Sequence, residues 1–166
     1  MELLYYTDAD LALTEEIECD PEMMAELGGP IDKAEIPRIH RRRLDSTANG
    51  DWWFKIIPDP GGPPAGTIGI WDATFGGSKI HETGWMVLPA FQGRGIASAA
   101  LEMILSRARS EPRFSSIHAF PSISNRSSNA LCRKFGFSMI EEVDGGYAGS
   151  SFKCNHWELA LEATQP

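Results

Sequence analysis

Trp85–Ala97, WMVLPAFQGRGIA, is the stretch on which the fold reading turns. It runs from an apolar, β-prone end through Pro89 into a loop carrying Gly93 and Gly95, and then into the first turn of a helix. The first backbone N–H groups of a helix have no intrahelical partner, and small residues let an anion come close to them. Such a corner suits a pyrophosphate. Two common nucleotide motifs are excluded. No Lys-Ser/Thr follows the glycines, and Gly93-x-Gly95 lacks the third glycine of the dinucleotide fingerprint. Taken alone, the segment also fits a plain tight turn between a strand and a helix.

Working outward, His81–Leu88 (HETGWMVL) reads as a strand ending at Pro89, and Gly95 or Ile96 to about Arg109 as a long helix. Ala97, Leu101, Ile104, Leu105 and Ala108 give that helix one apolar face to lay on a sheet. Trp52–Ile57 and Thr67–Trp71 are β-prone, and the Pro/Gly-rich stretch 58–66 between them reads as a hairpin connection. Further on, Ser116–Phe120 is a short strand, Arg126–Phe135 a helix closed by Gly136, and Phe137–Val143 a strand. Trp157, Leu159 and Leu161 alternate in a last strand, Asn155–Leu161.

Before the core, Leu3–Tyr6 reads as a short strand, and Asp20-Pro21 opens a helix to about Leu27, stopped by Gly28-Gly29. Asp32 to Leu44 has helical composition apart from Pro37. Its Arg38, Arg41, Arg42 and Arg43 form either a solvated helix face or a contact with an acidic group on a substrate or partner. The order of elements predicts an α+β, or α/β three-layer, arrangement.

With 166 residues, one domain over 1–166 is expected. Fifteen Lys+Arg against 23 Asp+Glu give a net charge of −8, which argues against a broad phosphate-backbone surface and hence against nucleic-acid binding. Cys19, Cys132 and Cys154 form neither an even framework nor a Cys-x-x-Cys pair, so neither a disulfide scaffold nor a metal site is indicated. The first residues carry no basic segment before an apolar run, and no stretch approaches the roughly 18 apolar residues of a membrane span. The expectation is a soluble, cytoplasmic protein that does not contact a membrane.

Gln92-Gly93-Arg94-Gly95-Ile96-Ala97 resembles the Gln/Arg-x-x-Gly-x-Gly/Ala signature of the GNAT N-acetyltransferase superfamily, preceded as there by a strand and Val-x-Pro. About thirty residues on, Asn125-x-x-Ser128-x-x-Leu131-x-x-Lys134-Phe135-Gly136-Phe137 resembles that family's Asn-x-x-Ser-x-x-Leu-x-x-Lys-Leu-Gly-Phe. The resemblance covers about residues 50–143. The N-terminal part, about 1–49, is more weakly similar, through Asp20–Met24 (DPEMM) and Leu27–Pro30 (LGGP), to the ribosomal-protein N-terminal acetyltransferase branch, and is the part expected to shape the acceptor site.

This resemblance implies a mixed, mostly antiparallel sheet of six to seven strands, with helices on both faces and a splayed central strand pair. It implies acetyl-CoA as co-substrate and no metal. The pyrophosphate would lie on Gln92, Gly93, Arg94, Gly95, Ile96 and Ala97, and the pantetheine beside Met86 and Val87, with Asn125 and Ser128 near the pantetheine arm or the sulfur. The implied reaction moves an acetyl group to a primary amine of a small molecule or peptide N-terminus by direct attack in a ternary complex. The alternative is a non-catalytic acyl-CoA sensor, and dimers being the commonest assembly, a homodimer is a possible state.

An attacking amine must lose its proton, so a base is expected. Glu82 is the candidate, because alternation puts Glu82, Gly84 and Met86 on one strand face, with His81 on the other. A structural salt bridge or a solvent contact at the strand end is the competing role for Glu82. The Val87 N–H is the expected oxyanion donor. Where many family members place a tyrosine four residues beyond the motif serine to protonate the thiolate, this chain has Cys132. That leaves Ser128, Cys132 or a water to assist, with helix packing as the competing role for Cys132. Trp52, Trp53, Trp71, Trp85 and Phe91 are expected mainly in the core or on sheet faces, the alternative being that one or two wall the acceptor cleft.

Overall fold

The chain forms seven strands: β1 (Glu2–Tyr5), β2 (Trp52–Ile57), β3 (Gly66–Phe75), β4 (Ser78–Val87), β5 (Ser116–Ala119), β6 (Ser138–Tyr147) and β7 (Ser150–Ala160). Four α-helices join them: α1 (Leu11–Glu18), α2 (Ile36–Ala48), α3 (Ile96–Arg109) and α4 (Arg126–Lys134). These come from a computed structural model, which describes residues 1–161. The strands form one sheet in the order β1-β2-β3-β4-β5-β7-β6. All neighbours are antiparallel except β4 and β5, whose parallel pairing is confined to Glu82 and His118.

Alternation along β2 and β4 divides the core in two. Trp52, Phe54 and Val87 join a cluster with Ile96, Leu101, Ile104 and Leu105 of α3 and Cys132 of α4. Their neighbours Trp53 and Met86 pack instead with Leu13 and Ile17 of α1, Tyr6 and Leu88. Consecutive strand residues point to opposite faces, so helices cover both sides of the sheet, as expected. On α3 the buried face is Ile96, Ala100, Leu101, Ile104, Leu105 and Ala108, while Ala97 stays half-exposed.

The sequence reading needs correction at several elements. Residues 20–27 form turns and one 3-10 turn, Ala25–Leu27, not a helix. Asp20 does cap, accepting from the Glu22 and Met23 N–H groups, but left-handed Gly28 (φ 98°) ends the run within eight residues, too short to propagate. The expected helix from Asp32 begins at Ile36, because Pro37 is tolerated only in the first turn, where no N–H partner is needed. Helix α1 was not anticipated. The β3–β4 and β6–β7 ladders also run well beyond the expected strand ends, to turns at Gly76-Gly77 and Ala148-Gly149. Gly136 (φ 81°) closes α4 as expected, with the Phe137 N–H donating back to Cys132 O at 3.0 Å.

Candidate active site

A cleft of about 780 Å³ runs from the start of α3, between β4 and the Ala119–Asn125 stretch, to the indole rings of β2 and β3. It exists because β4 and β5 part company after one residue pair. The ladder pattern says which backbone groups face this gap. Tyr6 N–H donates to Trp53 O, so the Trp53 backbone faces β1 and that of its neighbours faces β3. Carried across β3, the same alternation points Glu82, Gly84 and Met86 backbone groups at β3 and those of Trp85 and Val87 into the gap. Leu88 N–H donating to Ala65 O at 2.8 Å fits this phase.

Met86 and Val87, expected to act together, are thereby separated. The Met86 backbone is spent on β3 and its side chain packs against the α1 cluster while lining the cleft, whereas the Val87 N–H is open to the cleft. Val87 O accepts from Gln92 Nε2 at 2.9 Å, so the Gln92 side chain ties the glycine loop to the strand end. Trp85, which sequence reasoning considered only as a ring, contributes main-chain groups to the gap.

At the loop itself, Gly93 (φ 70°) and Gly95 (φ 76°) adopt left-handed backbone, and no atom lies within 4 Å of where a Cβ would stand on either. Gly95 is the N-cap of α3 and offers no side chain, so the N–H groups of Ile96, Ala97 and Ser98 have no partner among the described residues. Arg94 is exposed, its guanidinium over the Phe91 ring. The two sequence motifs meet here: Lys134 Nζ donates to Ser98 Oγ at 2.6 Å. Open space and free amides fit an anionic pyrophosphate, with Gln92 acting as a brace.

Across the gap, Asn125 caps α4, its Oδ1 accepting from Ser128 N–H at 3.0 Å and Ser127 Oγ at 3.0 Å. That oxygen is therefore committed to the helix, and Ser128 and Asn125 both line the cleft. Asn129, passed over in the sequence, anchors this wall. It is buried, donates to Ser122 O and Asn125 O, and accepts from Asn155 Nδ2 and Trp157 Nε1 at 2.7 and 2.9 Å. Asn129→Leu is expected to destabilise the protein in urea titration by about 2–5 kcal/mol, since it strands buried polar partners at roughly 1–3 kcal/mol each.

Glu82 stands at the split itself, on the cleft side. Burial pushes its carboxyl up to about 7, with the Trp71 side chain, directly across the ladder, pulling partway back. No salt bridge involves Glu82 among the described residues. His81 faces away, edge-on to Phe114 at 4.7 Å, as alternation predicted. Trp53 and Trp71 stack at 4.6 Å between centroids, and they can lie flat because Gly69 and Gly84 are register partners beneath them. A Cβ on Gly84 would sit 2.9 Å from the Trp71 ring, and one on Gly69 3.2 Å from that of Trp53. Trp53, Trp71, Trp85 and Phe91 all line the cleft, more of the five than expected, and Trp52 is core.

Cys132 does not line the cleft. It is fully buried in the α3–α4 core, and burial pushes its thiol up to about 12. Packing is thus the role its surroundings support. Tyr147, at the end of β6, does line the cleft. It donates to the buried Glu18 carboxylate at 2.9 Å, and Glu18 also pairs with buried Arg43. The expected basic cluster on α2 therefore splits: Arg38 and Arg41 make exposed ion pairs with Glu35 and Asp8, while Arg43 turns inward.

The family described as "Acetyltransferase (GNAT) domain" matches residues 1–138. The chain belongs to the GNAT acetyltransferase family. Several solved structures share the fold of this GNAT chain. A ribosomal-protein-alanine N-acetyltransferase from Brucella melitensis superposes with a TM-score of 0.78 at 20% identity, over 97% of this chain and 100% of that one. An acetyltransferase-like protein from Salmonella typhimurium, solved with its cofactor acetyl-CoA, gives 0.77 at 20% identity, over 100% and 96%. A spermidine N-acetyltransferase from Vibrio cholerae, in complex with CoA and spermine, gives 0.78 at 13% identity, over 98% and 96%. Among the described residues no group of three or more metal-ligating side chains converges, and no helix is long and apolar enough to cross a membrane.

Proposed function

We propose that this GNAT chain moves an acetyl group from acetyl-CoA to a primary amine, of a small molecule or a peptide N-terminus, by direct attack in a ternary complex. The observation that carries this reading is the continuity of the cleft: one channel joins the unpaired amides of α3 to the Glu82 carboxylate, with the Val87 N–H between them. The solved neighbours from Salmonella typhimurium and Vibrio cholerae, with acetyl-CoA and CoA, agree with it.

In this reading Gln92–Ala97 hold the pyrophosphate, with Arg94 adding a positive charge. Trp85 and Val87 offer main-chain groups to the pantetheine, and Asn125 and Ser128 form the facing wall. Acetyl-CoA supplies an activated thioester carbonyl. Glu82 accepts the amine proton through a water, which frees the nitrogen lone pair to form the C–N bond. The Val87 N–H donates to the carbonyl oxygen as charge builds there. The C–S bond then breaks, and a thiol of pKa about 8.5 leaves tolerably without a dedicated acid. That accounts for a site in which Cys132 is withdrawn into the core. The −8 charge gives a field that attracts a cationic amine, while the anionic co-substrate relies on local amides.

The test is release of free thiol from acetyl-CoA across a panel of amines, with CoA binding measured in parallel. Thiol release with at least one amine is the expected result. Tight CoA binding without thiol release for any amine would instead mark a non-catalytic acyl-CoA sensor.

A further inference from the structure

The acceptor end of the cleft contains a buried cation that catalysis does not use. Arg43 lines the cleft and is only 4% exposed. Its Nη2 donates to Glu18 Oε1 and lies 3.4 Å from Tyr147 OH, while its Nη1 is buried without any hydrogen-bond partner. The guanidinium carbon sits 5.0 Å from the Trp53 ring centroid, and Trp53 stacks on Trp71, which faces Glu82. Arg43 therefore stands at one end of the indole wall and the candidate base at the other.

Two features decide what oxygen Arg43 would receive. The Glu18 carboxylate already neutralises its charge, so the Arg43–Glu18–Tyr147 group offers hydrogen-bond donors with no net positive field. Of the other charged residues that line the cleft, Glu22 and Glu26 at the mouth and Glu82 on the floor are acidic and Arg126 is basic, while Arg42 acts on Tyr147 from beside it, so acidic groups remain in excess. A carboxylate brought here would add an unbalanced negative charge in a poorly solvated place. A neutral carbonyl would satisfy the Nη1 donor without that cost.

We infer that Arg43 selects acceptors in which the amine is accompanied by a neutral amide carbonyl, and rejects the corresponding free carboxylates. This deepens the acetyltransferase reading and rests on it. Tyr147 and Glu18 act as positioning residues, holding the guanidinium and tying the β6 end to α1 and α2.

The experiment compares matched pairs of amines, ω-amino amides against ω-amino acids of the same chain length from glycinamide and glycine upward. Two readouts run together: thiol release, and quenching of tryptophan fluorescence by the amine in the presence of CoA, which senses the Trp53–Trp71 wall without turnover. The parent is expected to favour the amide at least tenfold in kcat/KM and in apparent Kd. Arg43→Met alone strands the Glu18 charge and risks misfolding, so the decisive variant is Arg43→Met with Glu18→Gln. It should bind CoA as the parent does, raise the KM for amides about tenfold with kcat little changed, and lose the preference. Arg43→Lys, which keeps the ion pair, should restore part of it. Turnover with no preference for amides, or a preference that survives in the double variant, overturns the assignment while leaving the acetyltransferase reading intact. A fluorescence preference without turnover on any amine supports the Arg43 assignment as a binding role and defeats the catalytic reading.

Discussion

Gly95→Glu is expected to abolish acetyl-CoA binding while leaving the protein folded. The reasoning is local. Gly95 sits at φ 76° with no atom within 4 Å of an added Cβ, so a side chain meets no protein wall and points into the space the phosphates would fill. The left-handed backbone alone costs a non-glycine residue about 1–2 kcal/mol. A carboxylate about 4 Å from a phosphate adds repulsion of about 4 kcal/mol at an effective dielectric of 20, on the order of a thousandfold in affinity. Gly95→Ala separates the two effects, because it carries the strain and part of the bulk without the charge. Calorimetric titration with CoA should rank parent, Gly95→Ala and Gly95→Glu in that order of affinity, with the glutamate variant below detection. Equal affinity in all three would remove the phosphates from this corner. Salt gives a further handle, since the glutamate penalty should shrink as ionic strength rises.

That prediction could be framed from sequence because the corner is built from consecutive residues. Gly93 and Gly95 announce a backbone only glycine adopts cheaply, Pro89 ends the strand, and the periodicity of α3 states which face is buried. Glu82 was legible for a similar reason: strand alternation, counted from Met86, puts it on the cleft side. The acceptor end was not legible in this way. Glu18 lies in LALTEEIE beside two other glutamates, and Arg43 is one of three successive arginines, so nothing local distinguishes the buried member from its solvated neighbours. Only the docking of α1 on α2, together with a tyrosine arriving from β6 more than a hundred residues later, turns these two inward.

The misread helix at residues 20–27 has the opposite cause. Its start signal was correct, and Asp20 does cap, but a start signal says nothing about whether enough residues follow to repay nucleation. The long hairpin ends escaped notice because stretches such as DATFGGSKI lack a continuous apolar face. Backbone pairing there extends a ladder nucleated nearer the core, and the Phe75 ring near the tip packs against Phe120, just past β5, and His156 of β7. Asn129 was hidden likewise, since its four side-chain hydrogen bonds join the stretch before α4 to β7, which follows about thirty residues later.

Glu82→Gln is expected to cut turnover at pH 7 by about a hundredfold, at the lower end of what a positioned base contributes when it works through water. Acetyl-CoA affinity should be unchanged, because the residue touches no part of the phosphate corner. The pH profile carries the stronger statement. With its carboxyl held up to about 7 by burial, Glu82 in the parent gains its base form as pH rises through neutrality, so the rate should climb with an apparent pKa near 7 and then level off. The glutamine variant has no such group, and its rate should track only the fraction of amine that is already unprotonated. The gap between the two is therefore widest at neutral and low pH and narrows as the amine deprotonates on its own. Stability gives an independent check of the same group. A carboxyl raised from 4.5 to about 7 binds more protons folded than unfolded between those values, so the parent loses stability as pH rises through that window. Glu82→Gln cannot follow it, and should melt at a progressively higher temperature relative to the parent from pH 4.5 to 7, with the difference constant above. A variant whose pH–rate profile and whose melting difference both run parallel to the parent's would show that Glu82 neither titrates near neutrality nor acts as the base.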